Sequence, residues 1–259
     1  RQFFLDVEEE ILIKYARHNQ RYLIDPATAF VDRDKIKTID ILSARQIPVT
    51  QVIQSRNIEE VLDNVTGERG VFIKCRYGAE GKGITYLSSK GGFTNYQVER
   101  ANLENYPVRE KWKCTDITGK RNILEKILVH EMIVEKEIVT PEIEEGTKFD
   151  LRAYVVGKEV PHMFLRVNNK DRIITNFSQG ARTEHDYNKL LDPAQVIFTQ
   201  KVAKEAAHAL QTEFIGVDCM FDTSQGIYVV EAQVFTDFPD IDHFNLAQYL
   251  VDKMTEGRL

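Results

Sequence analysis

The sequence predicts an α+β protein built from helices and two antiparallel sheets. Three observations favour this class: helical periodicity precedes Gly70, strand-like runs separated by turns follow it, and a long amphipathic segment begins at Pro193. The 259 residues suffice for two modest domains, and a hydrophobic content of 42% is ordinary for a globular protein. We therefore expect a substantial hydrophobic core.

The first part of the chain shows helical spacing of its apolar residues. Residues 6 to 22 predict a short amphipathic helix that ends at Leu23-Ile24-Asp25-Pro26. A second helical pattern follows Asp34 and stops before Ile47-Pro48-Val49, because a residue that precedes proline disfavours helical dihedrals. A third helix is predicted over residues 57 to 65.

After Gly70 the pattern becomes that of strands. Val71–Cys75 predicts a buried strand, and Ile84–Leu87 predicts its hairpin partner across the glycine-rich stretch Gly78–Gly83. A P-loop would instead run from a strand into a helix and end in Gly-Lys-Ser/Thr. Residues 88 to 122 are polar and rich in turn residues, so they predict irregular or short elements.

A second sheet is predicted in the middle of the chain. After an apolar run over Ile123–Ile133, the segment Lys148–Val156 pairs with Val160–Val167 around a turn at Gly157-Lys158. Towards the end of the chain we expect a helix from Pro193 to about residue 211, strands at Ile215–Phe221 and Ile227–Gln233, and a helix over about Asp242–Met254.

Charge and cysteine content bound the class of protein. A net charge of -6 and a pI of about 5.6 argue against a nucleic-acid partner. Three cysteines without metal-ligand spacing fit a reducing compartment, so the cytoplasm is the predicted location. No apolar run predicts a membrane span and no signal-peptide pattern occurs. Because the chain opens at Arg1 rather than at a methionine, the presence of upstream residues is left open.

The glycine-rich stretch is a candidate phosphate-binding loop. Glycines let backbone N–H groups approach phosphate oxygens closely, and Lys74 and Lys82 would add positive charge. The competing interpretation is an exposed hairpin with solvated lysines.

The late strand pair is a candidate metal site. Glu231 and Gln233 lie two residues apart on one strand and share a face, while Asp218 lies on the preceding strand. Hard oxygen donors of this kind suit Mg²⁺ bound to a nucleotide. An ordinary hairpin with outward polar residues is the alternative.

Two arginines and an asparagine complete the candidate residues. Arg152 and Arg166 lie on the two strands of the middle hairpin, and Asn176 follows in a polar segment. The planar fork of arginine binds phosphate or carboxylate and stabilises developing charge. Surface ion pairs would explain the same residues without a catalytic role.

Taken in order, these segments resemble the ATP-grasp superfamily, most closely the RimK-type and glutathione-synthetase-like carboxylate-amine ligases. The resemblance covers roughly residues 25 to 254 and implies two α+β lobes whose antiparallel sheets clasp the nucleotide. It divides the chain into an N-terminal helical segment (1–33), an N-lobe (34–128) and a C-lobe (129–259), with the usual N-terminal domain truncated or absent. The implied cofactors are ATP and Mg²⁺, with Mn²⁺ as an alternative metal. The implied partners are carboxylate and amine substrates that are small molecules or peptides, without nucleic acid or membrane, and the oligomeric state is open.

The resemblance also assigns roles to residues. The implied catalytic residues are Arg152, Arg166 and Asn176, and the implied metal ligands are Asp218, Glu231 and Gln233. The implied nucleotide-binding residues are Lys35, Lys74, Gly78, Glu80, Gly81, Lys82, Gly83, Glu131, Met132, Ile133 and Asp150. Among these, Glu131 and the backbone of Met132 would meet adenine, and Asp150 lies in an element that adjoins ribose and phosphates.

Three departures from the family pattern bear on the activity. Gln233 replaces the usual asparagine, Ile174 stands where an arginine is common with Arg172 nearby, and few residues precede Lys35. The leading hypothesis is an ADP-forming ligase that uses an acyl phosphate. A kinase that phosphorylates a hydroxyl, as inositol phosphate kinases do, and a nucleotide-binding module without turnover are the alternatives.

The acceptor pocket is expected in variable loops, at residues 88 to 122 and 234 to 242. Thr236-Asp237-Phe238-Pro239-Asp240 is a candidate because it directly follows the predicted metal strand. A simple turn into the last helix explains it equally well.

Overall fold

The computed structural model describes Ile24, Thr28 and residues 34–67, 69–79, 81–96, 114–172, 174–175 and 180–258. The helix predicted at residues 6 to 22 lies outside the described residues, as do the predicted site residues Glu80 and Asn176.

Six helices and ten strands occur in the described part of the chain. The helices are α1 (Lys35–Ala44), α2 (Ile58–Asp63), α3 (Arg121–Leu128), α4 (Tyr187–Leu190), α5 (Pro193–Ala209) and α6 (Leu246–Thr255). The strands are β1 (Val71–Cys75), β2 (Ile84–Ser88), β3 (Gly91–Thr94), β4 (Thr115–Asp116), β5 (Met132–Lys136), β6 (Thr147–Val156), β7 (Glu159–Asn169), β8 (Arg182–Glu184), β9 (Phe214–Phe221) and β10 (Ile227–Gln233). The strands form two five-stranded sheets, which confirms the predicted α+β class.

The chain divides into two compact units. Unit 1 draws on the ranges Arg1–Val49, Asp150–Arg166 and Thr183–Leu259, and unit 2 draws on Thr50–Phe149 and Val167–Arg182.

The first sheet belongs to unit 2 and has the strand order β4-β3-β2-β1-β5. Strands β1 and β2 pair antiparallel from Val71↔Leu87 to Lys74↔Ile84, which confirms the predicted hairpin across the glycine-rich stretch. Alternate residues of β1, such as Val71 and Ile73, are buried in a core that also contains Ile127 of α3. The core therefore sits on one face of this sheet.

The apolar run 123–133 of unit 2 divides between two elements. Its first part lies in α3 and its last residues begin β5, which pairs with β1 rather than with the second sheet. The described part of the polar stretch 88–122 contains the short strands β3 and β4, in agreement with the short elements predicted there, and β3 extends the β1–β2 hairpin.

The second sheet has the strand order β10-β9-β6-β7-β8. The predicted pairing of β9 with β10 is confirmed, and β9 also pairs antiparallel with β6, so the late hairpin joins the middle one in a single sheet. Helix α5 contacts β9 and β10 in unit 1. Helix α6 contributes Leu246 and Leu250 to a core cluster with Tyr154, Phe164 and Phe214.

Helix α5 begins where the sequence predicts. Asp192 caps its N-terminus by accepting a hydrogen bond from the Ala194 N–H group, and the Gln195 side chain accepts from the Asp192 N–H group. Pro193 occupies the first turn, where its missing N–H group leaves no intrahelical bond unmade. No helix of the described residues is long and apolar enough to cross a membrane.

Candidate active site

Three charged residues form a row across strands β6, β9 and β10 in unit 1. Arg152 lies opposite Asp218, and Asp218 lies opposite Glu231. Residues that are directly opposite on antiparallel strands project to the same face of a sheet. The Gln233 side chain hydrogen-bonds the Glu231 carboxylate, so this residue joins the row from two positions further along β10. One face of the sheet thus carries three candidate metal ligands and one candidate catalytic arginine.

Arg152 and Arg166 both bind the Asp218 carboxylate, and Arg166 also binds Asp150. Arg152 donates from Nε to Asp218 Oδ1 at 2.5 Å and from Nη2 to Oδ2 at 2.8 Å. Arg166 donates from Nη2 to Asp218 Oδ2 at 2.7 Å, and its Nε and Nη2 bind Asp150 at 2.6 and 2.8 Å. All four side chains are buried. Two cations and two anions therefore share one desolvated cluster.

The electrostatics of the cluster keep Asp218 ionised. Burial alone would raise the pKa of Asp218, but the charges and hydrogen bonds of Arg152 and Arg166 outweigh burial and lower the pKa to about 2. Burial likewise opposes the charged form of Arg152, but Asp218 raises the pKa of the guanidinium well above its ordinary value. The cluster is a set of mutually dependent charges, since removal of Asp218 would leave two buried cations with Asp150 as the one buried anion of these four side chains.

The outer edge of Arg152 faces the segment that follows β10. Its Nη1 donates to Thr236 Oγ1 at 3.0 Å and also to Asp237 Oδ1. The Asp237 side chain is 55% exposed, whereas the Arg152 side chain is only 5% exposed. The Tyr154 hydroxyl donates to the Asp237 carbonyl at 2.8 Å, which fixes the backbone here. Solvent therefore reaches the buried cluster at Asp237.

Lys35 joins the row from helix α1. Its Nζ donates to Glu231 Oε1 at 2.7 Å, and the two side chains are only 16% and 25% exposed. Asp34 caps the helix by accepting from the Lys37 N–H group, which holds the first turn in place. Burial would raise the pKa of Glu231, but the charge and hydrogen bond of Lys35 lower it overall, so the Glu231 carboxylate is ionised at neutral pH.

The backbone conformation of the glycine-rich loop in unit 2 favours glycine at two positions. Gly81 and Gly83 have φ values of 67° and 68°, in the left-handed region that favours glycine. A Cβ atom on Gly83 would also lie 2.5 Å from Cys75 Sγ. Asn95 fastens the loop, because its Nδ2 donates to the Gly81 carbonyl and its Oδ1 accepts from the Ile84 N–H group, both at 2.7 Å. The loop is therefore tightly tied to the start of β2.

The predicted phosphate-binding lysine of β1 has a buried partner. Lys74 Nζ donates to Glu135 Oε2 on β5, and the Glu135 side chain is 2% exposed. The pair holds a cation at the end of β1, where the glycine-rich loop begins. Lys82 lies inside that loop, between Gly81 and Gly83.

The residues predicted to meet adenine lie at the start of β5. Glu131 is exposed and its carbonyl accepts from the Arg76 N–H group at 2.9 Å. Met132 and Ile133 are buried, and the Met132 N–H group donates to the His130 carbonyl at 2.8 Å. An adenine that used this N–H group would have to replace that internal hydrogen bond.

A comparison of the sequence with models of protein families identifies the family of this chain. The model of the family described as YheC/D-like ATP-grasp matches residues 30–249. The chain belongs to the YheC/D-like ATP-grasp family. This confirms the ATP-grasp superfamily that the motifs predict, while the RimK-type subtype stays a prediction. A search of curated protein sequences found no match.

Solved ATP-grasp structures share the fold. The ATP-grasp ligase PsnB, complexed with a phosphomimetic variant of a minimal precursor, Mg and ADP, has a TM-score of 0.63 and 14% identity, over 98% of this chain and 67% of that one. D-alanine–D-alanine ligase from Bacillus anthracis has a TM-score of 0.57 and 13% identity, over 91% and 70%. The macrocyclase MdnC from Microcystis aeruginosa MRC, bound with the precursor peptide MdnA, has a TM-score of 0.54 and 13% identity, over 89% and 64%. This ATP-grasp chain thus spans about two thirds of the length of these structures.

The donor chemistry of the row in this ATP-grasp chain fits Mg²⁺. Asp218 and Glu231 are ionised carboxylates on facing positions, and Gln233 adds an amide group beside them. Magnesium takes such hard oxygen donors and usually shares one or two carboxylates with phosphates. Among the described residues, no group of three or more His, Cys, Asp or Glu side chains that could bind a metal occurs.

Sequence reasoning missed two residues of unit 2 that hold predicted site residues in place. Glu135 binds Lys74, and Asn95 binds the Gly81 carbonyl. A lone glutamate in the apolar strand Met-Ile-Val-Glu-Lys was a usable signal, because a buried carboxylate needs a cationic partner. Asn95 lies in a polar segment where nothing in the pattern distinguishes it, whereas Asp237, which binds Arg152 in unit 1, lies in the segment 236–240 that the sequence marks as a candidate.

Proposed function

We propose that this ATP-grasp chain is an ATP- and Mg²⁺-dependent carboxylate-amine ligase that forms an amide bond through an acyl phosphate. The observation that carries the proposal is the row Arg152, Asp218 and Glu231, which sets a buried guanidinium beside two ionised carboxylates on one sheet face. Phosphoryl transfer to a carboxylate needs both kinds of group, since a metal offsets the phosphate charge and a fixed cation stabilises the charge that develops.

The carboxylate side of the row would hold the metal. Asp218, Glu231 and Gln233 are the proposed ligands, and bound Mg²⁺ would neutralise and orient the phosphates of ATP. Lys35 fixes Glu231 at 2.7 Å and the two arginines fix Asp218, so these donors are held in place in advance.

The arginine side of the row would stabilise the reacting acid. Arg166 uses Nε and Nη2 for its hydrogen bonds within the described residues, and its Nη1 is the remaining donor. In the proposed reaction the substrate carboxylate attacks the γ-phosphorus and ADP leaves. An amine then attacks the acyl carbon, inorganic phosphate leaves, and the amine loses a proton. Arg152 and Arg166 would bind the oxygens on which negative charge accumulates.

The glycine-rich loop would bind the phosphates. Gly81 and Gly83 have no side chains that would keep phosphate oxygens away from the backbone, and Lys74 and Lys82 would supply charge. Lys35 and Asp150 are proposed to complete the nucleotide contacts, with Asn176 as a further catalytic residue.

The relatives make peptides plausible substrates alongside small molecules. The solved structures of PsnB and MdnC contain precursor peptides. D-alanine–D-alanine ligase, which has the same fold, is named for a small molecule. We therefore propose a carboxylate and an amine substrate, either of which is a peptide or a small molecule.

The test follows the γ-phosphate of ATP. Protein is incubated with Mg-ATP and a pool of carboxylates, amines, peptides and polyols, and products are identified by mass spectrometry. A condensed product with ADP and phosphate supports the ligase. A phosphorylated polyol would show that the protein is a kinase rather than a ligase. Intact ATP would refute the proposal that the protein turns over ATP.

A variant pair tests the metal assignment. Glu231→Gln keeps the shape of the side chain but removes its charge, and we expect about a hundredfold loss of turnover. Asp186→Asn removes an exposed carboxylate that pairs with Lys189 and is not among the proposed site residues. It serves as the matched control, and we expect its activity to be unchanged. Full activity of Glu231→Gln would refute the metal role of this residue.

A further inference from the structure

The segment between β10 and α6 exposes apolar side chains at unusual density. Phe235, Phe238 and Ile241 are 54%, 53% and 66% exposed, and they are three of the ten exposed large hydrophobic side chains of the described residues. They fall within seven consecutive positions. Clustered exposed apolar groups mark binding surfaces, whereas isolated ones are common and need no explanation.

The same segment carries negative charge and no positive charge. Asp237, Asp240 and Asp242 alternate with the apolar residues, and residues 234–244 contain no lysine or arginine. Asp240 and Asp242 are exposed. A surface of aromatic rings beside carboxylates favours a cationic ligand, because the carboxylates attract the charge and the ring faces stabilise it further.

The exposed side chains are held on an ordered backbone. Val234 and Thr236 are buried, and Thr236 packs over Gly216, where a Cβ atom would lie 2.8 Å from Thr236 Cβ. The Tyr154 hydroxyl holds the Asp237 carbonyl, and Phe244 packs into the core cluster under α6. The segment therefore presents its outward residues without having to order them on binding, which lowers the entropic cost of association.

The segment also adjoins the candidate catalytic row. Phe235 lies two residues after Gln233, and Asp237 binds the outer edge of Arg152. A ligand on this surface would thus reach the solvent-facing side of the arginine cluster.

We propose that residues 235–242 bind the amine substrate, and that this substrate is a peptide segment that carries both lysine or arginine and large apolar residues. Three exposed apolar side chains separated by acidic ones present more surface than a single small amine covers, and their combination of apolar groups and negative charge is complementary to such a peptide. The role of this peptide as a substrate rests on the proposed ligase function. Its binding to residues 235–242 does not depend on turnover.

Binding is tested with fluorescein-labelled peptides and fluorescence anisotropy. One peptide alternates lysine with phenylalanine, a second replaces lysine by glutamate, and a third replaces phenylalanine by serine. We expect the Lys/Phe peptide to bind about tenfold more tightly than either other peptide. Equal binding of the Glu/Phe peptide would overturn the charge argument, and equal binding of the Lys/Ser peptide would overturn the apolar one.

Matched variants locate the surface. Phe238→Ala and the double variant Asp240→Asn/Asp242→Asn should each weaken the Lys/Phe peptide about fivefold or more. Phe198→Ala on α5 removes an equally exposed phenylalanine, at 55%, and Glu205→Gln removes an exposed charge on the same helix, so both should leave binding unchanged. An equal loss in the α5 variants would place the peptide elsewhere and refute the proposal.

A final arm separates this proposal from the ligase function. The Lys/Phe peptide is added to the Mg-ATP reaction with the carboxylate pool. Binding with a condensed peptide supports both proposals. Binding without condensation supports the binding surface but refutes its role as the amine site. Condensation of small amines without peptide binding supports the ligase function but refutes the proposed peptide substrate.

Discussion

At the scale of single residues, the Asp218 carboxylate connects the two buried arginines of unit 1. It accepts from Arg152 through both oxygens and from Arg166 through Oδ2. A buried ion pair is a poor source of net stability, but loss of one partner leaves an uncompensated charge in a medium of low dielectric. Asp218 therefore has a structural role that any catalytic assay of its variants must take into account.

This role predicts a large stability effect for Asp218→Asn. The amide keeps the shape but removes the carboxylate that both guanidinium groups share, which leaves two buried cations with one buried anion, Asp150, so we expect a loss of about 3–5 kcal/mol in the free energy of unfolding. Urea denaturation followed by circular dichroism measures it. Asp186→Asn, which removes a solvent-exposed partner of Lys189, should leave the midpoint unchanged. A similar midpoint for both variants would contradict the dependence of the cluster on Asp218.

A second prediction concerns Gly216, which makes room for Thr236. In Gly216→Ala the new methyl group would lie 2.8 Å from Thr236 Cβ, so the threonine must move away from Arg152. We expect a loss of about 1–3 kcal/mol, as is typical of overpacking. Gly67→Ala, where nothing lies within 4 Å, is the control and should change stability by less than about 0.5 kcal/mol. A crystal structure of Gly216→Ala with Thr236 still on Arg152 would contradict this explanation.

At the scale of secondary structure, local patterns predicted those elements whose stabilising contacts are themselves local. The hairpin Val71–Cys75 with Ile84–Leu87 has alternating apolar residues and a glycine-rich turn, and the structure confirms it. Strand β3 has the sequence Gly-Gly-Phe-Thr, which carries little strand propensity, and it forms because β2 pairs with it. This pairing is local, but a segment with so little strand propensity gives no pattern from which the strand could be predicted.

The hairpin depends on Asn95 for the position of its loop, and this predicts an effect on nucleotide binding. Asn95→Ala removes the hydrogen bonds to the Gly81 carbonyl and the Ile84 N–H group, so the glycine-rich loop should become less ordered. If the loop binds phosphates as proposed, the dissociation constant of Mg-ATP should rise about fivefold by isothermal titration calorimetry. Asn64→Ala, which removes an exposed hydrogen bond at the end of α2, is the control. Unchanged affinity in Asn95→Ala would argue against a phosphate-binding loop.

At the scale of the whole molecule, the sequence named candidate residues but could not reveal which of them meet. Lys35 and Glu231 are 196 residues apart, and Arg152 and Asp218 are 66 apart. These contacts require β9 to pair with β6 and α1 to lie beside β10, and neither arrangement has a local signal. Residue type suggested which side chains were candidates, whereas sheet topology determined that Arg152 pairs with a candidate metal ligand.

The arrangement of unit 1 also brings together three histidines from distant parts of the sequence. His185 stacks on His243 with ring centroids 3.7 Å apart, and His162 stacks on Phe244 at 5.0 Å. His162 Nε2 and His185 Nδ1 are buried atoms with no hydrogen-bond partner among the described residues. Burial, followed by the neighbouring histidines, lowers the pKa of His162 from 6.5 to about 4, and burial together with His243 lowers the pKa of His185.

These pKa shifts predict loss of stability in acid. Because the folded-state pKa of His162 is below its unfolded value, the unfolded chain binds more protons between pH 6.5 and 4, and the free energy of unfolding falls as the pH falls through this range. Glu184, Asp240 and Asp186 oppose the effect at His185 by raising its pKa. We expect His162→Phe, which retains an aromatic ring but cannot be protonated, to reduce the acid loss by about 1 kcal/mol, a value discounted for the partial solvent access of the ring. Urea denaturation across this pH range measures the slope, with His208→Gln, which replaces an exposed histidine of α5, as the control that keeps the wild-type slope. The same slope in all three proteins would mean that the histidine stack does not govern acid stability.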